Sequence, residues 1–200
     1  MREMAVESMQ AEATSIAEVT SPWPEGHVHR VASYSVTLAS AASLDVPTIE
    51  IIRQAALLHE IGKAGIPSSL LKKTDRLTAE EFELIKRHPV VGAAMCAALP
   101  TDAEAISAIV RSHHEHWNGE GYPDHLQGEE IPIGARIIAI ADAFDTLTMD
   151  RPYRPGYTPE EALQILWFGA DTQWDHDLVA LFDRLIRPTL NGARAQKLSA

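Results

Sequence analysis

The sequence has a single cysteine, Cys96, so no disulfide can form within the chain and a reducing, cytoplasmic setting is expected. Aromatic residues are scarce, at 6% of 200 positions, which leaves little of the Phe, Tyr and Trp that strand-rich cores draw on. No apolar run approaches the roughly 18 residues needed to cross a bilayer, so no membrane partner is expected. Residues 1–18 are acidic and lack the basic-then-apolar order of a secretory signal. Positive charge is also in deficit, with a formal net charge of −11. So acidic a chain repels a nucleic-acid backbone at long range, which argues against a DNA-binding module.

Against these absences stand 46% apolar residues, rich in Leu, Ile and Ala, enough in this length for one sizeable core. They recur at helical spacing, and alternating strand segments are missing. Residues 1–22 read as a leader or extra helix, broken by Pro22 and Pro24; 23–190 read as one domain and 191–200 as a tail. A helix is expected over 26–43, opened by His27, with Val31, Tyr34, Leu38 and Ala42 on one stripe. After a turn at 45–47, a second over 49–61 ends in His59, Glu60, Gly62 and Lys63. A capping box at 78–81 starts a third helix, with Phe82 and Ile85, that Pro89 is expected to kink beside His88. A similar box at 101–104 opens the helix that delivers His113 and His114. The segment 133–147 places Asp142 and Asp145 one turn apart. Thr158 and Pro159 cap a further helix, and 174–186 form the last. The expected fold is an all-α, single-domain helical bundle.

Nine histidines is a high count for this length, and their positions carry the argument. Over 113–123 the chain reads His-His-Glu-His-Trp-Asn-Gly-Glu-Gly-Tyr-Pro. Adjacent histidines on a helix point about 100° apart and rarely share one structural task, yet both can reach a metal cluster at the helix end. The glycines and the proline that follow require a shaped loop. Taken singly, any of these histidines is more often a packing residue than a ligand.

The pattern His113-His114-Glu115 followed by Gly119, Gly121, Tyr122 and Pro123 resembles the signature of the HD-GYP phosphodiesterases. These are a branch of the HD metal-dependent phosphohydrolases that degrades cyclic di-GMP. His27, with Arg30-Val31 following, and the His59-Glu60 to Lys63 segment fall in the same register. The resemblance implies an HD-type helical bundle and metal ligands at His27, His59, Glu60, His88, His113, His114 and Asp142. It implies two divalent ions, iron or manganese first, with zinc, nickel or magnesium as alternatives. Glu60 would bridge them, His27, His59 and Asp142 would serve one side, and His88, His113 and His114 the other.

Two positions depart from the family pattern. Glu60 stands where the family has Asp, adding one methylene of reach, and Trp23 stands where some members carry a Glu for a third metal. A dinuclear site is therefore expected. Asn118 replaces a common loop Asp. His29, His116, His125 and His176 match no ligand position, and Trp117 and Phe144 read as core.

The implied activity is hydrolysis of cyclic di-GMP to linear pGpG, GMP or both, by attack of a metal-bridging hydroxide. Lys63 would neutralise a phosphate oxygen. Tyr122 and Gly121 would shape the pocket, and Arg151 and Arg154 would contact the second phosphate and a guanine. Asp145 would orient Lys63 or a water, with a buried salt bridge as its equal competitor. The alternatives are another cyclic nucleotide or dinucleotide as substrate, or a catalytically weak cyclic di-GMP-binding or protein-interaction domain. A regulatory or GGDEF-type protein partner and a homodimer stay open.

Overall fold

The computed structural model describes residues 26–150 and 155–198. The expected leader, Trp23, Arg151 and Arg154 lie outside the described residues. Among the described residues every extended regular element is helical, and pairing of strand type is limited to the isolated bridges Asn118–Gln127 and Ala170–Trp174.

Helix α1 spans His27–Ala41, and α2 spans Val46–Leu58. The expected turn before α2 is its cap: Asp45 accepts from the Thr48 amide at 2.9 Å, and Pro47 fits the first turn, where no amide donor is needed. A 3₁₀ segment, Ile61–Gly65, follows, then α3 (Ser68–Leu71) and α4 (Ala79–Ile85). The capping box at Thr78 and Glu81 forms as the sequence predicts. Pro89 starts a new helix and kinks none: α4 ends at Ile85 and α5 runs His88–Cys96 with the proline in its first turn. The box expected before α6 (Ala103–Ser112) does not form, because Asp102 sits at φ 53 with no side-chain capping bond. Helix α7 spans Ile133–Thr148, and α8 spans Pro159–Phe168 behind the Thr158–Glu161 capping box. Helix α9 covers His176–Leu198, running on past the expected end at residue 186.

The core is the shared interior of α1, α2, α6, α7, α8 and α9, with Leu38, Ile52, Ile106, Ile137, Leu163 and Phe182 fully buried. Each such side chain contributes about 1.5–3 kcal/mol by leaving water. Phe144, Tyr34 and Phe182 meet edge to face at 5.1–6.0 Å, so Phe144 is a core residue, as the sequence suggests. Trp117 is only half-buried and lies 5.7 Å from the Arg136 guanidinium, outside that core. This packing brings the start of α1, the end of α2, the start of α5 and the end of α6 to one end of the bundle, beside the middle of α7.

Candidate metal centre

One local device recurs three times at these helix ends. His59 Nδ1 donates to Ala56 O at 2.7 Å, His88 Nδ1 to Ile85 O at 2.8 Å and His113 Nδ1 to Val110 O at 2.6 Å. Each acceptor is the carbonyl three residues back, one of those a helix terminus leaves unpaired. A carbonyl can only accept, so each ring carries its proton on Nδ1 and turns a bare Nε2 lone pair inward. Helix α6 ends at Ser112, which resolves the problem of adjacent histidines. His113 is the cap and His114 lies beyond it, so their rings sit side by side at 4.1 Å instead of diverging.

Close backbone packing sets the distance between the Glu60 segment and His88. A Cβ on Gly62 would fall 1.9 Å from His88 O and 2.5 Å from the Gly92 amide, so only glycine lets the 3₁₀ segment rest on α5. His88, His113 and His114 form one inward group, and His27, His59 and Glu60 a second. Asp142 joins the second group: its Oδ1 lies 3.3 Å from His27 Nε2 and 4.0 Å from His59 Nε2. All the residues expected as ligands are thus brought together.

The donor chemistry fits metal ions. His59 Nε2 is buried without a hydrogen-bond partner, facing Glu60 Oε1 and Asp142 Oδ1, each at 4.0 Å. The Nε2 atoms of His88 and His113 face each other at 3.2 Å, two lone pairs with no proton between them. Acceptors converging in a dry site repel unless a cation lies among them. Burial lowers the proton affinity of His59, His88, His113 and His114, the third to about 3, and so keeps these rings neutral and ready to ligate. Burial alone would raise the Glu60 carboxyl, but the Lys63 ammonium beside it holds it well below the usual range. His27 differs: burial opposes its charge, yet hydrogen bonds to Asp142 and Asp145 raise it to about 9.

Asp145 faces His27 and Arg30. Its Oδ2 accepts from His27 Nδ1 at 2.8 Å and its Oδ1 from Arg30 Nε at 2.7 Å, so it stands behind the cluster in the buried salt bridge that was the competing expectation. The guanidinium of Arg30 fixes the carboxylate that fixes the imidazole. In the sequence Arg30 stands out only as part of the motif that His27 opens; its spacing of one helical turn from His27 is the signal of this role. Lys63 donates to Glu60 Oε1 at 2.6 Å and is buried beside it.

A cavity of about 420 Å³ opens onto Glu60, Lys63, His88, His113, His114 and Asp142. Tyr122 walls it, stacked on His114 at 4.9 Å and 26°. Burial, and then the charges of Glu60 and Asp142, raise the Tyr122 hydroxyl pKa, which keeps that hydroxyl protonated. Gly119 holds φ 81, and a Cβ on Gly121 would meet the His116 amide at 2.2 Å, so both glycines are required for the loop path. The buried Glu115 ties the loop down by accepting from the Asp124 amide at 2.6 Å. The Asn118 side chain stays within the loop, accepting from the Glu120 amide at 3.0 Å and donating to Glu120 Oε2 at 2.9 Å. Gln173 and Thr146 also line the cavity; no motif marks either. His29 and His125 are exposed, His176 pairs with Asp171 at 3.1 Å, and His116 borders the cavity.

A helical bundle that gathers imidazoles and carboxylates from separate helix ends around one cavity defines a class, the helical proteins with a histidine- and carboxylate-lined candidate metal site. The HD domain family model matches residues 13–178, and the chain belongs to that family, with the 113–123 signature of its HD-GYP type. It is similar to a cyclic di-GMP phosphodiesterase of Vibrio cholerae, 36% identical over 191 residues, which cover 90% of this chain and 39% of that one. It is also similar to the 3'3'-cGAMP-specific phosphodiesterase 2 of Vibrio cholerae, 35% identical over 182 residues, covering 90% and 35%. The solved structure of a V. cholerae cyclic GMP-AMP specific phosphodiesterase has the same fold, with a TM-score of 0.68 at 23% identity over 88% of this chain and 48% of that one. The chain therefore spans well under half the length of these curated relatives. Among the described residues no helix is long and apolar enough to cross a membrane.

Proposed function

We propose that this chain is a metal-dependent phosphodiesterase that hydrolyses cyclic di-GMP to linear pGpG, GMP or both. The observation that carries the reading is the pair of ligand groups that reach one cavity, through His88, His113 and His114 on one side and Glu60 and Asp142 on the other, with Tyr122 in its wall. His27, His59 and Asp142 would hold one divalent ion, and His88, His113 and His114 a second, with iron or manganese suiting this nitrogen- and oxygen-rich set. Glu60 would lie between them, a placement supported by the 4.0 Å from its Oε1 to His59 Nε2 and by the cavity wall it shares with His88, His113 and His114. Such ions supply Lewis acidity to the phosphodiester and acidify water toward neutral pH.

The chain's own residues do the rest. Asp145 keeps the His27 Nδ1 protonated, so that Nε2 is the atom presented to an ion. Lys63, held by Glu60, places an ammonium at the cavity wall where negative charge grows on a phosphate oxygen. The Tyr122 hydroxyl, kept protonated, donates to a phosphate or sugar oxygen. Glu60 is the departure with mechanistic weight. Its additional methylene moves the carboxylate by about 1.5 Å, and misplacement near 1 Å can cost ~10²-fold in rate.

A second reading, hydrolysis of 3'3'-cGAMP, is favoured by the 35% identity to a phosphodiesterase of that specificity. The test is anaerobic hydrolysis of both dinucleotides by protein loaded with iron(II) or manganese(II), with the His59→Ala/Glu60→Ala variant as control. Turnover that vanishes in the control supports the enzyme, and the faster substrate decides between the readings. Metal and nucleotide binding without turnover would instead make the domain a receptor.

A further inference from the structure

Across Tyr122 from the cluster lies a second hollow, a groove of about 570 Å³ between the end of α4 and the 119–125 loop. Tyr122 and His116 border both spaces, so the groove continues the cavity outward. One face of the Tyr122 ring is taken by His114, and the Lys86 ammonium stands 5.7 Å from the ring centre. The same ammonium lies 5.0 Å from the Phe82 ring centre and donates to Glu83 Oε1 at 2.7 Å. Phe82 is 45% exposed and is the one aromatic of α4.

Two features decide what this groove suits. The first is charge: Lys86 and Arg87 are matched by Glu83 and Glu120, with His116 and His125 as the titratable neighbours. An evenly balanced lining is a poor seat for a phosphate and a good one for a neutral base whose edge carries donors beside acceptors. The second is the Phe82 ring, 45% exposed with the Lys86 ammonium over it, an aromatic surface of the kind on which nucleobases stack once that exposed side chain moves aside. A cyclic dinucleotide with one phosphate at the cluster must send a base outward, and the groove is the adjoining space.

We infer that this groove seats a guanine base of the cyclic dinucleotide, stacked on Phe82 and read by the Lys86–Glu83 pair. The inference rests on the phosphodiesterase reading and adds its specificity. Guanine places the O6 acceptor beside the N1 and N2 donors. Lys86 donates to O6, and Glu83 accepts from the N1–H and N2–H side. Adenine puts an amino donor where guanine has O6, which sets it against the ammonium. The Lys86–Glu83 pair is exposed and lies one helical turn apart, so it yields readily to a ligand.

The experiment compares cyclic di-GMP, 3'3'-cGAMP and cyclic di-AMP as substrates of metal-loaded wild type, Lys86→Ala, Lys86→Met and Phe82→Ala. Dissociation constants are measured beside kcat and KM, and bis(p-nitrophenyl) phosphate reports on the cluster. Loss of Lys86 is expected to lower kcat/KM for cyclic di-GMP about tenfold, through KM, and for cyclic di-AMP by less than about twofold. Phe82→Ala is expected to weaken all the dinucleotides alike. Equal losses on every dinucleotide in the Lys86 variants, or none, would overturn the groove assignment while leaving the enzyme reading intact. Wild type that cleaves bis(p-nitrophenyl) phosphate but neither binds nor cleaves a cyclic dinucleotide would overturn both.

Discussion

The Nδ1 of His27, at the start of α1, meets the Oδ2 of Asp145, near the end of α7, at 2.8 Å, with both side chains buried. Behind them, Arg30 closes on the same carboxylate through Nε at 2.7 Å and Nη2 at 3.1 Å. A carboxylate that accepts from a ligand histidine raises the basicity of the other ring nitrogen and locks its aim.

Asp145→Asn should therefore act through metal binding. Loss of such an outer carboxylate typically costs 10–100-fold in metal affinity, so of the two ions proposed the one assigned to His27 should dialyse away first. Metal content after graded dialysis, compared with wild type and Asp145→Glu, measures this. Retention of both ions by the asparagine variant would show that Asp145 serves folding alone.

Gly62→Ala should be strongly destabilising for so small a change. The new methyl would overlap His88 O and the Gly92 amide, which are backbone and cannot swing aside. A cost of ~1–3 kcal/mol or more is expected, read as a fall in the urea midpoint. Gly92→Ala should be milder, because its nearest obstacle is the movable Val110 Cγ1 at 3.0 Å.

Glu115→Ala should loosen the Tyr122 loop by removing the acceptor of the Asp124 amide. Turnover of every diester should fall, by up to ~10²-fold, because Tyr122 loses its register against His114. Glu115→Gln keeps a carbonyl acceptor and should recover most of the rate. By contrast, Arg111→Ala removes only an exposed pair with Asp124 and should change stability by no more than about 1 kcal/mol. Steady-state kinetics and thermal melts on the three variants separate these outcomes.

Chelator-treated protein should be most stable near pH 6.5. Burial holds the folded pKa of His113 at about 3, so between that value and 6.5 the unfolded chain binds the additional proton. Its contribution is complete above about pH 6.5 and is lost as pH falls toward 3. His27 has the opposite sign: with a folded pKa of about 9, its contribution is complete below 6.5 and is lost as pH rises through 9. Melting temperatures across pH should trace that maximum. Adding metal at about 100 times its dissociation constant should raise the melting temperature by roughly 5–10 °C and remove the alkaline decline, since an ion replaces the His27 proton.

Much of this architecture is readable along the chain because it is local. Thr78 with Glu81 and Thr158 with Glu161 start helices through bonds that close within one turn, and apolar spacing assigns the faces. The order of histidines and carboxylates likewise names the candidate ligand set, since residue type is all that donor chemistry requires at that stage. Helix ends were harder to read. Asp102 takes a left-handed conformation that the 101–104 pattern conceals, and Pro89 opens a helix because the chain had already turned at Arg87. Tertiary structure alone decided which partners the charged residues keep. Asp145 turns to His27 and Arg30, 118 and 115 positions away, because α1 packs along α7. Lys63 closes on Glu60 because Gly62 presses the 3₁₀ segment onto α5. Hydrogen bonds within a turn follow from residue order; those between helices follow from how the buried faces fit, and neighbours in sequence do not determine that fit.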